Sequence, residues 1–258
     1  MFAEERHKLI ANGLAARMRM TTGELQDLVR ASSATVQRDL RILEKQGRIV
    51  RVRGGIVHSS YLEGEPTFDQ KSLEAIDAKV VIAARVSELI SPGSSVFVDS
   101  GTTCLEVGRR LLLRKDLTIF TNSVPLTALG AKNNTRLICV GGEIREVSWA
   151  LVGALTLSWL ANLHFDYAVI GASGITAENG AATTELSEAA VKQQLLQRAK
   201  TRILAADIGK WEAPQRVTFA RWEDFQFWVT DGAIPTSAVE RIRAKGCTVE
   251  VARKTPRP

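Results

Sequence analysis

Cysteine and histidine are scarce in this 258-residue chain, and their scarcity excludes two kinds of site. The three cysteines are odd in number and far apart, so they predict neither a disulfide framework nor a metal-ligand pair. The three histidines are isolated from one another, and we expect no metal site and no cofactor. Cys104 follows a glycine-threonine loop at a predicted helix start, where a thiolate would be favoured. We interpret Cys104 as a small apolar residue that closes a turn, with a redox role as the alternative.

Long apolar runs are also missing. No stretch is long enough to span a bilayer, and the first residues lack the charged segment, apolar run and cleavage site of a secretory leader. We therefore expect a cytoplasmic protein with no membrane partner. The hydrophobic fraction of 45% is enough for packed cores, and the length suggests two domains.

Positive charge is placed unevenly along the chain. Residues 1–58 contain 11 lysines and arginines against 6 aspartates and glutamates, a net charge of +5. The other 200 residues contain 23 against 22, a net charge of +1. Basic side chains neutralise the phosphates of DNA and give an affinity that falls steeply with salt. The first 58 residues are therefore the part that we expect to bind nucleic acid.

The segment from residue 32 to residue 55 joins a capped amphipathic helix to a short basic hairpin. Ser32 can accept a hydrogen bond from a free backbone N–H of the first helical turn. Apolar residues then recur at i, i+4 and i+7, which places them on one face of a helix. These apolar residues are Val36, Leu40 and Leu43. Gly47 ends the predicted helix, and two short strands follow around a pair of glycines, an order typical of a winged helix-turn-helix.

Two earlier helical patterns, over residues 4–18 and from Thr22 onward, complete a small domain. The apolar positions of the first are Leu9, Ile10 and Leu14, and those of the second are Leu25, Leu28 and Val29. Gly13 weakens the first helix, because glycine is a poor helix former. Three helices and a wing within 58 residues make a complete DNA-binding domain. The alternative is a helical bundle whose charged face is merely solvated.

The third helix and the wing are expected to make different contacts with operator DNA. A helix with one basic, hydrogen-bonding face suits the major groove, and basic side chains beside it suit the phosphates. We expect base-edge contacts from Gln37 and Arg38, peripheral groove contacts from Ser33, Thr35 and Arg41, and phosphate contacts from Arg48, Arg51 and Arg53. One domain of this size touches too little DNA for operator affinity, so we expect a homodimer or homotetramer.

The composition changes after residue 58. Residues 59–76 are polar, include Gly64 and Pro66, and predict a linker. Over residues 77–258, apolar strand candidates alternate with helical patterns, which predicts an α/β domain with a mostly parallel sheet covered by helices on both faces. The strand candidates are 95–98, 117–120, 136–140, 167–170, 202–206, 227–230 and 248–251. The helical patterns are 77–90, 104–113, 126–132, 149–160, 187–200 and 236–245.

Small polar residues collect where these strands end. In parallel sheets, ligands bind at the carboxyl ends of the strands, and glycines, hydroxyl groups and free N–H groups at a helix start can hold an anion. Together the loops predict a polar pocket for a small phosphorylated, hydroxyl-rich molecule. The residues expected to bind its phosphate are Ser100, Gly101, Thr102 and Thr103. The further candidates in the same pocket are Asp99, Asn122, Ser123, Gly142, Gly171, Ser173 and Lys192.

Across nearly its whole length the chain resembles the DeoR family of bacterial transcriptional regulators. Its motifs, in the family's order and spacing, are TVQRDL (35–40), DSGTT (99–103), TNS (121–123), GGEIR (141–145), GASG (171–174) and EAAVK (188–192). The resemblance implies a repressor of a sugar-catabolic operon whose effector is a phosphorylated sugar. It also implies a sensor domain similar to ribose-5-phosphate isomerase.

Two positions depart from the family pattern. Gln37 stands where the family often has arginine; glutamine pairs with adenine whereas arginine favours guanine, so an unusual operator preference is expected. Cys104 stands where a third threonine is common, so this chain has a thiol in place of a hydroxyl group at that edge of the phosphate loop.

Two other functions are compatible with parts of the sequence. A sugar-phosphate isomerase would need a base beside the carbonyl group. The isomerases that the second domain resembles carry two carboxylates where this chain has Ile170 and Ser173, so we expect no catalytic residue and no enzyme activity. The other alternative is an architectural DNA-binding protein whose second domain only oligomerises. It leaves the polar strand-end loops unexplained.

Overall fold

The computed structural model describes residues 2–17, 19–45, 49–52, 54–58, 65–213 and 216–253. They cluster into two compact units, one built on residues up to Pro66 and the other beginning at Thr67. Among the described residues, no helix is both long and apolar enough to pass through a membrane.

The first unit has the predicted three helices and a wing. Its helices are α1 (Ala3–Arg17), α2 (Thr22–Val29) and α3 (Ser33–Lys45), and its strands are β1 (Arg19–Thr21), β2 (Ile49–Val52) and β3 (Gly55–His58). The strands form an antiparallel sheet in the order β1-β3-β2, so the wing hairpin is extended by one strand that the sequence did not predict. The winged helix-turn-helix arrangement is thereby confirmed.

Local signals fix the ends of α2. The Thr21 hydroxyl oxygen accepts a hydrogen bond from the Glu24 N–H at 3.2 Å, and the Glu24 carboxylate accepts one from the Thr21 N–H at 2.8 Å. This reciprocal capping box satisfies two backbone donors that a helix start leaves without helical partners. At the other end, Arg30 takes a left-handed conformation with φ of 48°, which turns the chain toward α3.

One apolar cluster forms the core of this unit. Its buried members are Ile10, Leu14, Met20, Leu25, Val29, Val36, Leu40, Leu43, Ile49 and Ile56. The prediction for Leu9 is wrong: its side chain is 37% exposed, because Ile10 and Leu14 already occupy the face of α1 that meets the core. Gly13 is explained by close packing, since a Cβ there would lie 2.9 Å from Leu28 Cδ2 of α2.

The second unit is built on a seven-stranded sheet in the order β15-β14-β12-β9-β4-β5-β6, and every neighbouring pair in it is parallel. Its strands are β4 (Ser95–Val98), β5 (Thr118–Thr121), β6 (Arg136–Cys139), β9 (Phe165–Ile170), β12 (Ala199–Ala205), β14 (Phe227–Thr230) and β15 (Thr248–Val251). Each matches a predicted strand. The main helices are α5 (Ile76–Leu89), α6 (Thr102–Leu111), α7 (Val124–Gly130), α8 (Ala154–Leu160), α9 (Leu186–Arg198) and α10 (Thr236–Ala244).

Both faces of this sheet are buried. Along β4, Phe97 joins one apolar cluster while Val96 and Val98 join another. Successive side chains of a strand point to opposite faces, so two clusters on one strand mean that both faces are covered. The predicted α/β architecture with helices on both faces is confirmed.

Several smaller elements were not predicted. Strands β7 (Glu143–Arg145) and β8 (Ala150–Val152) form an antiparallel hairpin, and β10 (Gly174–Thr176), β11 (Gly180–Thr183) and β13 (Val217–Ala220) form a separate three-stranded sheet. The helix predicted over 149–160 is wrong in its first part, which is β8. A short apolar run cannot be assigned to helix or strand by periodicity alone.

Part of the segment predicted as a linker is ordered secondary structure. Helix α4 (Phe68–Leu73) lies within residues 59–76, capped by Thr67 through a second capping box with Gln70. Phe68 is buried, and the second unit therefore begins before residue 77. Residues 59–64 lie outside the described residues.

Candidate DNA-binding surface and effector site

Helix α3 presents the surface predicted to meet DNA. The Ser32 hydroxyl oxygen accepts a hydrogen bond from the Thr35 N–H at 3.4 Å, which confirms the predicted cap. Arg38 and Arg41 are exposed, and so is Ser33 at the helix start. The opposite face is buried in the core, so α3 has one apolar side and one basic, solvent-accessible side.

A buried carboxylate anchors α3 to α1, and the sequence interpretation missed it. Asp39 is 2% exposed on the core side of α3. It accepts hydrogen bonds from Arg6 at 2.7 and 3.1 Å and lies 3.1 Å from His7 Nε2. Burial acts to raise the pKa of Asp39, but the hydrogen bonds from Arg6 and His7 outweigh it and hold the pKa below its ordinary value. The orientation of the exposed basic face therefore depends on a charged contact with α1.

The wing is tied to α3 by a side-chain contact. Arg51 of β2 donates a hydrogen bond to the Gln37 side-chain oxygen, and Gln37 is half-buried. The structure thus brings together one residue predicted to contact bases and one predicted to contact phosphates. Arg48 and Arg53, the other predicted phosphate contacts, lie outside the described residues, as does Gly47.

At the carboxyl edge of the large sheet, β4 and β9 lie side by side, and the loops after them meet at one buried ion pair. The ammonium group of Lys192, from α9, donates hydrogen bonds to Asp99 Oδ2 and, at 3.2 Å, to the carbonyl oxygen of Gly171. The Asp99 carboxylate also accepts from the N–H groups of Gly171 at 3.2 Å and Ser100 at 2.8 Å. Asp99 is 1% and Lys192 4% exposed.

The charge of Lys192 is sustained by its neighbours. Burial acts to lower the pKa of Lys192, but the carboxylates of Asp99 and Glu188 outweigh it, and the pKa is raised. Lys192 is therefore an ammonium group at neutral pH. Asp99 accepts hydrogen bonds from Lys192 and from two backbone N–H groups, and these bonds position Lys192 and the two loops.

A second charged contact extends this network. Arg145, from β7, donates to Glu188 Oε1 at 3.2 Å, and the Thr183 hydroxyl donates to Glu188 Oε2 at 3.0 Å. Sequence reasoning did not select Arg145 for the site. The sequence feature that could have indicated Arg145 is the GGEIR motif (141–145), of which it is the last residue. Arg145 lies beyond the glycines that follow β6, so attention to the strand ends alone does not select it. The hairpin β7–β8 is what brings it to α9.

The start of α6 combines several features that favour an anion in general. Its capping residue is Gly101, with φ of 100°, a conformation that favours glycine. The N–H groups of Thr102 and Thr103 belong to the first turn, where a helix provides no backbone acceptor. Because glycine has no side chain, the capping residue cannot supply an oxygen to them either. These N–H groups lie at the positive end of the helix dipole, next to the Ser100 hydroxyl.

Cys104, in the same turn, has no exposed surface. Burial, with the charge of Asp99 adding to it, raises the pKa of the Cys104 thiol well above its ordinary range. The thiol therefore stays protonated, which fits the interpretation as a small buried residue and gives no support to a redox role.

The other predicted pocket residues make different contacts within the protein. Ser123 caps α7, since its hydroxyl oxygen accepts from the Leu126 N–H at 3.3 Å. Gly142 lies against α8, where a Cβ would be 1.9 Å from the Thr156 hydroxyl oxygen. Both residues are thus required by local packing. Ser173 is half-buried and donates its N–H to the Ala182 carbonyl oxygen at 2.9 Å.

Another buried lysine of this unit also escaped the sequence interpretation. Lys79 of α5 is 4% exposed and donates to the carbonyl oxygens of Lys71 and Glu74, the latter at 2.6 Å. Burial lowers the pKa of Lys79, while the nearby charge of Asp207 acts in the opposite direction. Asp207 follows β12 and is itself buried, and one of its carboxylate oxygens has no hydrogen-bond partner among the described residues.

Comparison with known proteins identifies both units. Residues 6–60 match the model of the DeoR-like helix-turn-helix domain, and residues 74–232 match that of the DeoR C-terminal sensor domain. The chain is 33% identical over 251 residues to the HTH-type transcriptional regulator GlpR of Haloferax volcanii, covering 96% of this chain and 98% of that protein. It is 28% identical to the glycerol-3-phosphate regulon repressor of Escherichia coli K12, covering 92% and 94%. It is 30% identical to the putative aga operon transcriptional repressor of Escherichia coli O157:H7, covering 95% and 92%.

Among solved structures, ribose 5-phosphate isomerase A from Methanocaldococcus jannaschii superposes on 53% of this chain and 54% of its own, with 15% sequence identity and a TM-score of 0.40. A likeness of that extent supports no conclusion about chemistry. The three proteins similar in sequence are named as regulators and repressors. Their names support a regulator rather than an isomerase. With both of its domains matched and a relative aligned over nearly its full length, this chain belongs to the DeoR family of transcriptional regulators.

Proposed function

We propose that this regulator represses a sugar-catabolic operon in the cytoplasm and that a phosphorylated sugar bound at the carboxyl edge of the large sheet releases it from DNA. The observation that carries the proposal is the convergence, at that edge, of the glycine-capped start of α6 with the buried pair of Asp99 and Lys192. The names of the relatives, repressors of a glycerol-3-phosphate regulon and of an aga operon, support the direction of control and the class of effector.

The phosphate group is assigned to the loop from Ser100 to Thr103. First-turn N–H groups, a hydroxyl on either side and the helix dipole together favour a dianion there. The buried ammonium group of Lys192 lies at the same edge of the sheet, paired with Asp99 and bonded to the Gly171 carbonyl oxygen. A neutral sugar carries no charge to interact with the helix dipole, so the unphosphorylated parent compound should bind much more weakly.

The sugar hydroxyls are assigned to the neighbouring strand ends. Asn122 has a buried side-chain oxygen with no partner among the described residues, and Ser173 is half-buried beside Gly171. Ser123 and Gly142 contribute through the shape of the loops that they fix, as their packing requires. Selective binding of a small ligand needs contacting side chains that are held in place in this way by their neighbours.

Thermal unfolding tests the effector assignment. The full chain is heated with ribose 5-phosphate, glycerol 3-phosphate or inorganic phosphate, and with ribose or glycerol as parent compounds. At about 100 times Kd a ligand stabilises the folded state by about 2.7 kcal/mol, which raises the melting temperature of a domain of this size by roughly 5–10 °C. Wider panels of hexose phosphates extend the series.

A matched pair of variants locates the site. Thr102→Val removes a hydroxyl from the α6 loop at constant size and should reduce the shift. Thr248→Val makes the same change at an exposed threonine of edge strand β15 and should leave the shift as it is. If no phosphorylated compound raises the melting temperature, the second domain serves assembly only and the effector proposal is wrong.

DNA binding is assigned to an oligomer, a homodimer or homotetramer. A single winged helix reads too few base pairs for operator affinity, so two or more heads must bind together. Sedimentation of the purified chain with and without a selected duplex measures the assembly directly. A complex with one chain per duplex would contradict this part of the proposal.

A further inference from the structure

The amide of Asn122 is held in one orientation and leaves one atom unused. Asn122 follows β5, and the pairing of Thr121 with Val98 places it beside Asp99 at the carboxyl edge. Its Nδ2 donates to the Leu151 carbonyl oxygen at 3.3 Å, and only the NH2 group can face a carbonyl. Oδ1 is therefore directed elsewhere; it is buried and has no hydrogen-bond partner among the described residues, in a side chain that is 1% exposed. A buried acceptor without a donor is costly, so a hydrogen-bond donor from outside the described residues would be stabilised at this atom.

The hairpin β7–β8 lies directly against this residue. The Leu151 N–H donates to the Asn122 backbone carbonyl oxygen at 2.7 Å, and the Val124 N–H donates to the Trp149 carbonyl oxygen at 3.0 Å. Ser123 and Ala150 form an isolated bridge between the same segments. Trp149 takes a left-handed conformation, with φ of 52°, which a large side chain rarely adopts. The turn is therefore held in a strained conformation by its contacts with residues 122–124.

Two further contacts connect the hairpin to other elements. Arg145 donates to Glu188, one helical turn before Lys192 on α9. At the tip of the hairpin, the Val147 carbonyl oxygen accepts from the Phe68 N–H at 2.7 Å, and Phe68 is the first residue of α4. In the chain, α4 follows the segment that leaves the DNA-binding unit. One small element thus contacts the strand ends, the helix that carries Lys192, and α4.

We propose that a hydroxyl group of the bound effector donates a hydrogen bond to Asn122 Oδ1, and that the hairpin β7–β8 transmits occupancy of the site to α4. The inference rests on the proposed function and deepens it. The effector must present a hydroxyl donor at this point, since the other end of the amide is committed to Leu151. The hairpin contacts both Asn122 and α4, so a change at either one can alter its position. Coupling between two sites requires an element of this kind.

Hydrogen exchange of the ligand-free protein tests the connection by itself. Asn122→Asp keeps the shape of the side chain but places a carboxylate oxygen against the Leu151 carbonyl. We expect exchange in peptides covering 146–152 and 67–73 to become about tenfold faster, as local opening free energies fall. Arg145→Lys, which keeps the charge but loses the planar contact with Glu188, should act in the same direction. Glu146→Ala, an exposed change in the same turn, is the control and should leave both peptides unchanged.

Exchange in 67–73 that stays at the wild-type rate in both Asn122→Asp and Arg145→Lys overturns the inference, whatever the ligand is. Global unfolding is recognised by faster exchange throughout the sheet. In that event the same exchange measurement is made on Asn122→Ser, which removes the contact with Leu151 without adding charge. Its exchange rate in 67–73 then decides whether the inference holds.

DNA binding with and without ligand completes the test. A duplex is first selected from a random library by its binding to the full chain. Binding of the chain to this duplex is then titrated in buffer alone and in buffer with ribose 5-phosphate or glycerol 3-phosphate. We expect the active compound to weaken DNA binding of the wild type by about tenfold, within the usual range of coupling between sites. The same ratio should fall below about twofold in Asn122→Asp and stay at the wild-type value in Glu146→Ala.

Failure of the proposed effector class and failure of the proposed role of the hairpin give different results. If neither compound affects the wild type, the assignment of a sugar phosphate fails, while the exchange experiment still decides the role of the hairpin. If the wild type responds and Asn122→Asp responds equally, the hairpin is not the coupling element.

Discussion

Asp39 and Asp99 are buried aspartates whose hydrogen bonds come from the protein itself. They hold in place the residues that we expect to contact DNA and the effector. Asp39 is held by Arg6 and His7, and Asp99 by Lys192 and two backbone N–H groups. Removing one partner of such a buried pair typically costs about 3–5 kcal/mol, because the remaining charge is left unpaired. Both carboxylates are buried and hydrogen-bonded within the protein, so we expect them to contribute to binding mainly by positioning other residues.

Arg38 and Arg51 are expected to affect DNA binding in different ways. Arg38→Ala should cost roughly 1–3 kcal/mol and relax the sequence preference at one position, because an exposed arginine on α3 reads base edges. Arg51→Ala should weaken all sequences to a similar degree, as the loss of a phosphate contact does. The measurement is selection of duplexes from a random library by each variant, followed by titration at fixed salt. Lys115→Ala, an exposed change in the sensor unit, serves as the control.

Because Arg51 donates to Gln37, a different outcome has a definite meaning. If Arg51→Ala changes the preferred base as strongly as Arg38→Ala does, Arg51 acts by positioning Gln37 in the groove. The assignment of Arg51 to phosphate alone would then be wrong.

Asp166 predicts a loss of stability in acid. Its carboxylate accepts from the Ser95 N–H at 3.0 Å, the Ser95 hydroxyl at 2.8 Å and Lys200 at 2.9 Å, and these bonds lower its pKa to about 2. Because the folded pKa lies below the ordinary value of about 3.9, the stabilisation is present above pH 4 and is lost as the pH falls toward 2. The side chain is 37% exposed, so solvent screening keeps the effect small.

Urea unfolding between pH 2 and pH 5 measures this contribution. Asp166→Asn should be less stable than the wild type at pH 5, and the difference should shrink toward pH 2. Asp69→Asn, at an exposed aspartate of α4, should show no such trend. A constant difference across the range would mean that the carboxylate charge is not what stabilises the fold there.

At the scale of elements, the wing depends on a close approach that only glycine allows. A Cβ on Gly55 would lie 2.2 Å from the Met20 carbonyl oxygen of β1, which is backbone and cannot rotate away. Gly55→Ala should therefore separate β1 from β3 and destabilise the first unit by about 1–3 kcal/mol, as overpacking does. At Gly54, next to it, an added Cβ would meet no atom of the described residues within 4 Å. Gly54→Ala should therefore cost only the strain of a φ of 90°, about 1–2 kcal/mol.

The five tryptophans all lie beyond residue 148, so their fluorescence reports the second unit alone. Far-UV circular dichroism reports both units. Gly55→Ala should reduce DNA binding and the circular dichroism stability while it leaves the tryptophan transition unchanged. A shift of the tryptophan transition would show that the damage is not confined to the wing.

The elements also show where sequence periodicity succeeds. The strands of the large sheet are predicted because strands buried on both faces are continuous apolar runs, each bounded by polar turns. The hairpin β7–β8 and strand β1 were missed, because three-residue strands carry too little pattern to separate them from turns or helices. The hairpin places Arg145 next to Glu188. The failure to predict its strands therefore also explains why Arg145 was not predicted as a site residue.

At the scale of the whole molecule, charge and function are divided between the two units. The excess of basic residues lies in the first 58 positions, whereas in the second unit the buried Lys192 is paired with Asp99 and the buried Lys79 donates to backbone carbonyl groups. Steep salt dependence should therefore belong to DNA binding, through counterion release. Any coupling is reciprocal: if the effector weakens DNA binding, the operator weakens effector binding by the same factor.

The sequence by itself determined the order of the main helices and of the strands of the large sheet, the two-domain organisation, the buried faces of α2 and α3, and the strand-end loops, because each depends on local periodicity, capping and turn chemistry. Only the tertiary structure decided which polar groups meet. The pairings of Asp39 with Arg6, Lys192 with Asp99, Arg145 with Glu188 and Asn122 with Leu151 join positions at least 29 residues apart. No local pattern records such distances, since they are set by how strands and helices pack around the two cores.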